Sequence, residues 1–322
     1  MSLPVDVVIP NFNGRQHLAV CLPALQRQSY PCVRVFVVDD ASTDGSAELV
    51  RNLMPEATVL ELPRNAGLAV AVNQGIAAGW APLVALLNND TEPEPGWLAA
   101  LVAAAERFPD AGAIASKLRL FDRRDTLHSA GDTFSPRGLP GNRGVWQRDV
   151  GQFEREEEVF GACAGAALYR RAALEAVAAI DGAVLDPRFF MYCEDVDLSW
   201  RLRLLGYAIV YAPEAVVYHR LSATGGGTLA SYYVARNTLA VLVKDVPTPI
   251  LRRHLAGIAL AQLSGALATL RHLREPAARA RLRGLAAFPA MLPALLRQRR
   301  RLQRHRVVSL EALERLLEGH RT

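Results

Sequence analysis

The chain predicts an α/β fold on a mixed, mainly parallel central sheet. Three observations carry that expectation. Short β-branched runs alternate with helical stretches through the N-terminal part of the chain, as in a parallel sheet whose strands are joined by helices. Four successive runs each end in a polar cluster: Asn11/Asn13, Asp39/Asp40, Arg64/Asn65 and Asn88-Asn89-Asp90. Ligands of open α/β sheets lie beyond the carboxyl ends of the strands, so four clusters at one edge predict a shared cleft. Finally, Phe190-Met-Tyr-Cys-Glu-Asp-Val-Asp-Leu-Ser-Trp-Arg201 crowds Glu194, Asp195 and Asp197 at the start of an expected helix.

Val5–Ile9 reads as a strand stopped by Pro10, Asn11, Asn13 and Gly14. A helix to about Gln28, a buried strand at Val33–Val38, a helix over 46–54, a strand over 57–62, a helix over 67–79 and a strand over 83–87 follow. Residues 122–160 are polar and rich in Gly and Pro, which predicts a lid, a binding loop or disorder. Gly161–Ala167 is a small-residue passage that admits close backbone approach; it leads into a strand and a helix starting near Arg171.

In the acidic segment, Leu198, Leu202 and Leu205 recur at i, i+4 and i+7. One helix face therefore points to a core and the acids stand at a rim, where a carboxylate could deprotonate an alcohol. Two structural roles compete: first-turn acids complement the helix dipole, and Asp197 can pair with Arg201. Asp90, just past a strand end and beside Thr91, suits Mg²⁺ or Mn²⁺. Such an ion takes one or two protein carboxylates and leaves room for a nucleotide diphosphate, though the same residues also make an ordinary turn. His219 closes another β-branched run and stands open as metal ligand, phosphate contact or structural histidine. Arg220 and the segment Ser222–Thr228, with Gly225, Gly226 and Gly227, resemble a phosphate-closing loop.

Charge is unevenly spread. From residue 246 onward 15 arginines face 4 acids, a net +11, while the first 245 residues hold 22 basic and 28 acidic residues, a net −6. The acidic front and its lack of a basic-aromatic surface exclude nucleic acid as the expected partner. Cys21, Cys32, Cys163 and Cys193 show no zinc-ligand or disulfide-framework spacing. The N-terminus runs into a strand with no signal-peptide pattern, so a reducing, cytoplasmic setting is expected. Leu255–Leu270 is an uncharged helical stretch; at ~1.5 Å per residue it would span about 24 Å, short of the ~30 Å hydrocarbon core. With Leu285–Leu296 and the arginines from Arg297 to Arg306, it predicts a helical extension lying on an anionic membrane surface, in preference to a helical subdomain packed on the front or joining a homodimer.

Five motifs occur in order: Val7-Val-Ile-Pro-Asn-Phe-Asn-Gly14, Val38-Asp-Asp-Ala-Ser-Thr-Asp-Gly-Ser46, Arg64-Asn-Ala-Gly-Leu-Ala69, Leu87-Asn-Asn-Asp-Thr91 and Glu194-Asp-Val-Asp-Leu-Ser-Trp-Arg201. Together they resemble the family 2 glycosyltransferases, in particular the rhamnosyltransferase-like branch of bacterial surface polysaccharide synthesis. The resemblance covers about residues 4–245. It implies a GT-A fold over 1–245, with a nucleotide-binding half (1–110) and an acceptor-binding half (111–245), followed by the basic amphipathic extension 246–322. By the same resemblance Pro10, Phe12, Asn13, Asp39, Asp40, Arg64, Asn65, Gly67, Asn88 and Asn89 bind the nucleotide sugar. Gly161, Gly165 and Trp200 serve the acceptor. Asp90 and His219 hold the metal, and Asp195 is the base with Glu194 beside it. Asn88 stands where the family's Asp-X-Asp motif has its first acid, so one anionic ligand is missing.

The implied activity is inverting transfer of a sugar, first rhamnose from dTDP-rhamnose, to a glycan or polyprenyl-linked hydroxyl by a protein peripheral to the inner face of the plasma membrane. The alternatives are a UDP-linked galactose, galactofuranose or N-acetylglucosamine donor, and a non-catalytic nucleotide-sugar-binding scaffold.

Overall fold

The computed structural model describes residues 2–221 and 227–318. Strands β1 (Val5–Asn11), β2 (Val33–Asp39), β3 (Thr58–Glu61) and β4 (Leu83–Leu87) run parallel in the order β4-β1-β2-β3. Beyond β4 the sheet mixes directions. β11 (Ala166–Arg170) lies antiparallel between β4 and β6 (Ala111–Leu120), and β12 (Ala208–His219) runs parallel to β6. Short strands β5 (Thr91–Pro93) and β10 (Glu157–Glu158) pair with β12, and β7 (Arg123–Ser129) pairs with β6.

The period-two alternation of a strand fills a core on each face. Val5, Val7 and Ile9 of β1 meet Leu18 and Leu22 of α1 (Arg15–Gln26), Val50 of α2 (Ser46–Leu53) and Trp97 and Leu101 of α4 (Trp97–Arg107). Val8 points the other way, to a core with Val72 of α3 (Leu68–Ala78), Leu174 of α5 (Arg171–Asp181) and Leu198 of α6 (Glu194–Leu204). Asp6, fully buried on that same strand, is paired with Arg34 and Arg171 and accepts from the Ala81 amide at 2.7 Å, which fastens β1 to its neighbours.

The stretch 122–160 is folded, contrary to the expected lid or loop. It contains β7, the hairpin of β8 (Asp132–Phe134) and β9 (Pro140–Asn142), and β10. Its Gly and Pro residues serve tight turns: the Ser135 amide donates to the Leu139 carbonyl at 2.9 Å across the hairpin. Inward-pointing Leu127 and Phe134 anchor the layer to the body of the protein.

The C-terminal part is helical: α7 (Thr228–Lys244), α8 (Thr248–Leu270), α9 (Pro276–Ala287), α10 (Leu292–Arg304) and α11 (Leu310–Glu318). The apolar run Leu285–Leu296 does not form one helix; a 3₁₀ turn at Phe288–Met291, carrying Pro289, separates α9 from α10. Val241, Leu295, Leu302 and Leu313 share a third core with Phe134, Phe160, Phe189 and Trp200, so most of these helices pack on the sheet domain and residue 245 is no gap in packing. Helix α8 differs, with only Ile250, Ile258 and Thr269 buried. No helix among the described residues is long and apolar enough to cross a membrane.

A buried charge cluster joins the two parts. Lys244 Nζ on α7 lies 2.6 Å from Asp197, 3.1 Å from Asp181 and 3.2 Å from Asp186. Arg201 meets Asp197 at 2.5 Å, and Gln298 of α10 donates to Asp186 at 2.8 Å. Of the three crowded acids, Asp197 therefore has the structural role, as the i, i+4 spacing allowed.

Candidate active site

The carboxyl ends of β1, β2 and β4 converge as expected. Asn89 donates to Asn11 at 2.6 Å, and Asn11 donates to Asp39 at 2.8 Å, a chain of amides across three strand ends. Asp40 accepts from the Ala66 and Gly67 amides at 2.7 and 2.8 Å and so shapes the turn before α3. Gly67, at φ +92°, leaves no room for a side chain: a Cβ would lie 2.4 Å from Phe190 Cδ2. Pro10, Phe12, Asp40, Asn65, Gly67, Asn88, Asn89 and Asp90 line one cavity with Phe190, Met191 and Leu229. Asn13, Asp39 and Arg64 are not on its wall. Asn13 accepts from the Thr43 amide at 2.8 Å, Asp39 is buried between Asn11 and the Ser42 amide, and Arg64 is exposed.

Pairing of β5 with β12 sets Thr91 opposite His219, which brings Asp90 to the histidine. His219 Nε2 lies 3.2 Å from Asp90 Oδ1, yet that buried oxygen accepts no hydrogen bond from the described residues. An orphaned carboxylate oxygen beside an imidazole nitrogen is a donor set that fits a divalent cation. Behind it His128 Nδ1 sits 3.0 Å from His219 Nδ1; burial, then His219, pushes His128 down to about 3. His17 of α1 faces the same carboxylate, its pKa lowered by burial and partly restored by Asp90.

The acids follow an unusual backbone. Phe190, Tyr192 and Cys193 have φ of 65°, 66° and 61°, a left-handed conformation that costs a non-glycine residue about 1–3 kcal/mol. Asn237 of α7 holds this stretch, its Nδ2 lying 3.0, 2.9 and 2.7 Å from the carbonyls of Phe189, Met191 and Tyr192. Asp195 accepts from the Val196 amide at 2.8 Å and the Ala164 amide at 3.4 Å. Donor atoms of Asp132, Cys163 and Asp195 lie within 4.8 Å of one another. Burial is the largest influence on Asp195 and raises its pKa, against those amide bonds. Burial, then Asp195, raises Asp132 to about 8, and the same two causes raise Glu194 to about 8. Desolvation thus outweighs the helix N-terminus.

The dipeptide Ala164–Gly165 links the two halves of the site. The Ala164 amide points to Asp195, and the Gly165 carbonyl accepts from the Asn88 amide at 2.8 Å. Gly161 is buried against Ser199. Trp200 is not at an acceptor surface. It is fully buried, edge-on to Phe134 and Phe160 at 5.2 and 5.1 Å, because five residues along a helix carry it about 140° around from Asp195. Of the glycine segment expected to close over phosphate, residues 222–226 lie outside the described residues. Sequence reasoning missed His128, Asp132 and Asn237. His128 and Asp132 sit in the stretch that read as a polar loop, and Asn237 carried one signal, a polar side chain beside the apolar run Leu239–Val243.

A sequence model described as glycosyl transferase family 2 matches residues 6–178. The N-acetylglucosaminyl-diphospho-decaprenol L-rhamnosyltransferase of Mycobacterium tuberculosis is 31% identical over 262 residues, 74% of this chain and 82% of that protein. Among solved structures, a mannosyltransferase from Pyrobaculum calidifontis in complex with GDP-Man and Mn²⁺ superposes with a TM-score of 0.58 at 20% identity, over 99% of this chain and 88% of that one. S. aureus TarS 1–349 gives 0.56 at 16%, over 99% and 91%. These structural neighbours share the GT-A fold expected here. With the motifs at their strand ends and the family match over more than half its length, the chain belongs to glycosyl transferase family 2.

Proposed function

We propose that this glycosyltransferase works by inversion, moving rhamnose from a dTDP donor to a hydroxyl of a lipid-linked glycan in cell-surface polysaccharide synthesis. The observation that carries the mechanism is the Ala164–Gly165 link, which sets Asp195 and the Asn88–Asp90 turn on either side of one dipeptide. The nucleoside lies in the cavity between Pro10, Phe12, Asp40 and Gly67. Asp195 takes the proton of the acceptor hydroxyl as its oxygen bonds to the anomeric carbon; the bond from that carbon to the diphosphate oxygen breaks, and the nucleoside diphosphate leaves with the electron pair. A base whose pKa burial raises takes that proton more readily. Asp90 and His219 would hold Mg²⁺ or Mn²⁺, which offsets charge developing on the leaving diphosphate. The Asn amides leave this end of the site with few anions of its own. Rhamnose and the lipid-linked acceptor are supported by the activity that the mycobacterial relative is named for. On this reading residues 1–110 bind the donor, 111–245 the acceptor, and 246–322 carry the membrane contact.

That contact is α8. Leu255, Leu260, Leu263 and Leu267 are 61%, 68%, 62% and 59% exposed and fall within an arc of about 140° on the helix. No charged residue lies between His254 and Arg271, and exposed Arg252, Arg253, Arg271 and Arg274 flank the stretch. A broad apolar face between basic ends suits the interface of an anionic leaflet, the inner face of the plasma membrane, where a lipid-linked acceptor resides.

Calorimetry with UDP, dTDP and GDP, with and without Mn²⁺, tests the donor. Metal-enhanced binding of dTDP is expected; preference for UDP would move the donor to a UDP sugar. Folded protein that binds none of them would overturn the transferase reading. Asp195→Asn is expected to keep nucleotide affinity and lose about 10²–10⁴-fold in turnover; near-normal turnover would remove Asp195 as the base.

A further inference from the structure

We propose that His128 is a positioning residue that locks the His219 ring with Nε2 unprotonated and aimed at the cation shared with Asp90. The inference rests on reading Asp90 and His219 as the cation's ligands.

The two Nδ1 atoms are 3.0 Å apart, the rings are 4.9 Å between centroids and tilted by 39°, and both histidines are buried. A hydrogen bond between two like nitrogens needs one N–H and one lone pair. A neutral imidazole carries its proton on one nitrogen only, so the choice made at Nδ1 of His219 decides what its Nε2 can do. With the proton on Nδ1, donated to His128, Nε2 presents a lone pair. It then stands 3.2 Å from Asp90 Oδ1, two acceptors facing each other as around a cation. With the proton on Nε2, that nitrogen would have no lone pair to offer a cation. Reading His219 and Asp90 as a ligand pair therefore selects the first arrangement, and the 3.0 Å separation of the two Nδ1 atoms gives its proton a partner.

His128 is held for the task. It sits near the end of β7, beside Ser129, which pairs with Leu118 of β6, and the segment is anchored again where Ser129 donates to Asp132 at 3.0 Å. The run His128-Ser-Ala-Gly-Asp132 therefore places one side chain behind the cation ligands and another beside the base. A partner on the far nitrogen of a metal-bound histidine fixes its tautomer and raises its basicity; losing one typically costs about 10–100-fold in metal affinity.

The test is Mn²⁺ affinity by calorimetry on full-length protein saturated with dTDP or UDP, without acceptor, so that no turnover enters. His128→Phe keeps ring bulk but has no acceptor, and about a 10–100-fold loss of Mn²⁺ affinity is expected. His128→Asn returns an oxygen near the Nδ1 position and is expected to recover most of it, with metal-free nucleotide binding unchanged in both. Unchanged Mn²⁺ affinity in His128→Phe would overturn the proposal. If both variants lose metal-free nucleotide binding, nitrogen NMR of wild-type His219 with Mg²⁺ decides: a proton on Nδ1 upholds the proposal and one on Nε2 sinks it. Asp90→Asn separates the two levels. If it binds Mn²⁺ like wild type, the ligand reading fails; if it weakens binding while His128→Phe does not, only the role of His128 fails.

Discussion

Lys244 sets its ammonium 2.6 Å from the carboxylate of Asp197, with neither side chain exposed. Asp197 lies two residues beyond Asp195, so the helix that carries the proposed base is held by a cation from α7. Burial lowers the pKa of Lys244, but Asp197 and the neighbouring acids raise it further, so it stays charged. Asp245 in the same cluster is driven well above the carboxylate range by burial, then Asp197, which reduces the excess of negative charge.

Lys244→Met would leave Asp181 and Asp197 facing Arg201 alone, and Asp186 to Arg188 and Gln298. Breaking a buried pair by removing one partner typically costs about 3–5 kcal/mol, and a loss of that size is expected in urea unfolding. A loss below about 1 kcal/mol, the worth of an exposed pair, would show that the cluster does not hold the helix.

Asn237→Ala removes the amide that bridges the Phe189, Met191 and Tyr192 carbonyls. The Phe189 carbonyl keeps its bonds from Arg236 and the Met191 amide, but a buried acceptor left without its donor, as at Met191, costs about 1–3 kcal/mol, and the left-handed stretch then has reason to relax. We expect lower stability together with weaker nucleotide binding, since Phe190 and Met191 wall the cavity. Unfolding and calorimetry measure the two separately; a stability loss with unchanged nucleotide affinity would mean the stretch keeps its shape without the clamp.

Asp132 gives a pH signature. Its carboxyl is raised to about 8 in the folded protein from an unfolded value of about 3.9. Between those values the native state binds more protons than the unfolded one, so stability falls as pH rises and levels off above about 8. Asp132→Asn keeps an oxygen for Ser129 and Asn142 but removes the ionisation. The variant is expected to show a shallower decline between pH 5 and 8 and to exceed wild type in relative stability at pH 9. Parallel curves of unfolding free energy against pH would contradict the assignment.

The triple change Leu260→Glu, Leu263→Glu and Leu267→Glu alters exposed positions of α8. We expect it to abolish flotation with phosphatidylglycerol vesicles while dTDP affinity stays unchanged. Flotation equal to wild type would move the contact to the exposed arginines of α10.

The front half of the fold was legible because its strands are short β-branched runs and its helices carry apolar periodicity; each expected element from Val5 to Leu87 is present with small shifts at its ends. The strand-end clusters marked the cleft for the same reason: a polar residue right after an apolar strand has few places to go. The hairpin layer at 122–160 was not legible, because its turn residues dominate a local reading and β7 and β10 form only against β6 and β12. His128 and Asp132 were missed with it. Trp200 was misplaced because a motif gives sequence neighbours, not helix faces. The tail misled in another way: its arginines read as one basic surface, yet Arg299 spends its guanidinium on the Val243 carbonyl and the Thr248 hydroxyl at 2.8 Å.

The contact between Gln298 and Asp186 has a consequence in time. A chain leaving the ribosome has completed every family motif by Arg201, yet the cluster beneath the base helix lacks Lys244 and then Gln298 until much later. The Leu204 carbonyl at the end of that helix waits longer still, for the amide of Val307 at 3.0 Å. The order of synthesis therefore delays the site: the acids are made first and fixed last, and the newborn enzyme stays unfinished until Val307 is free.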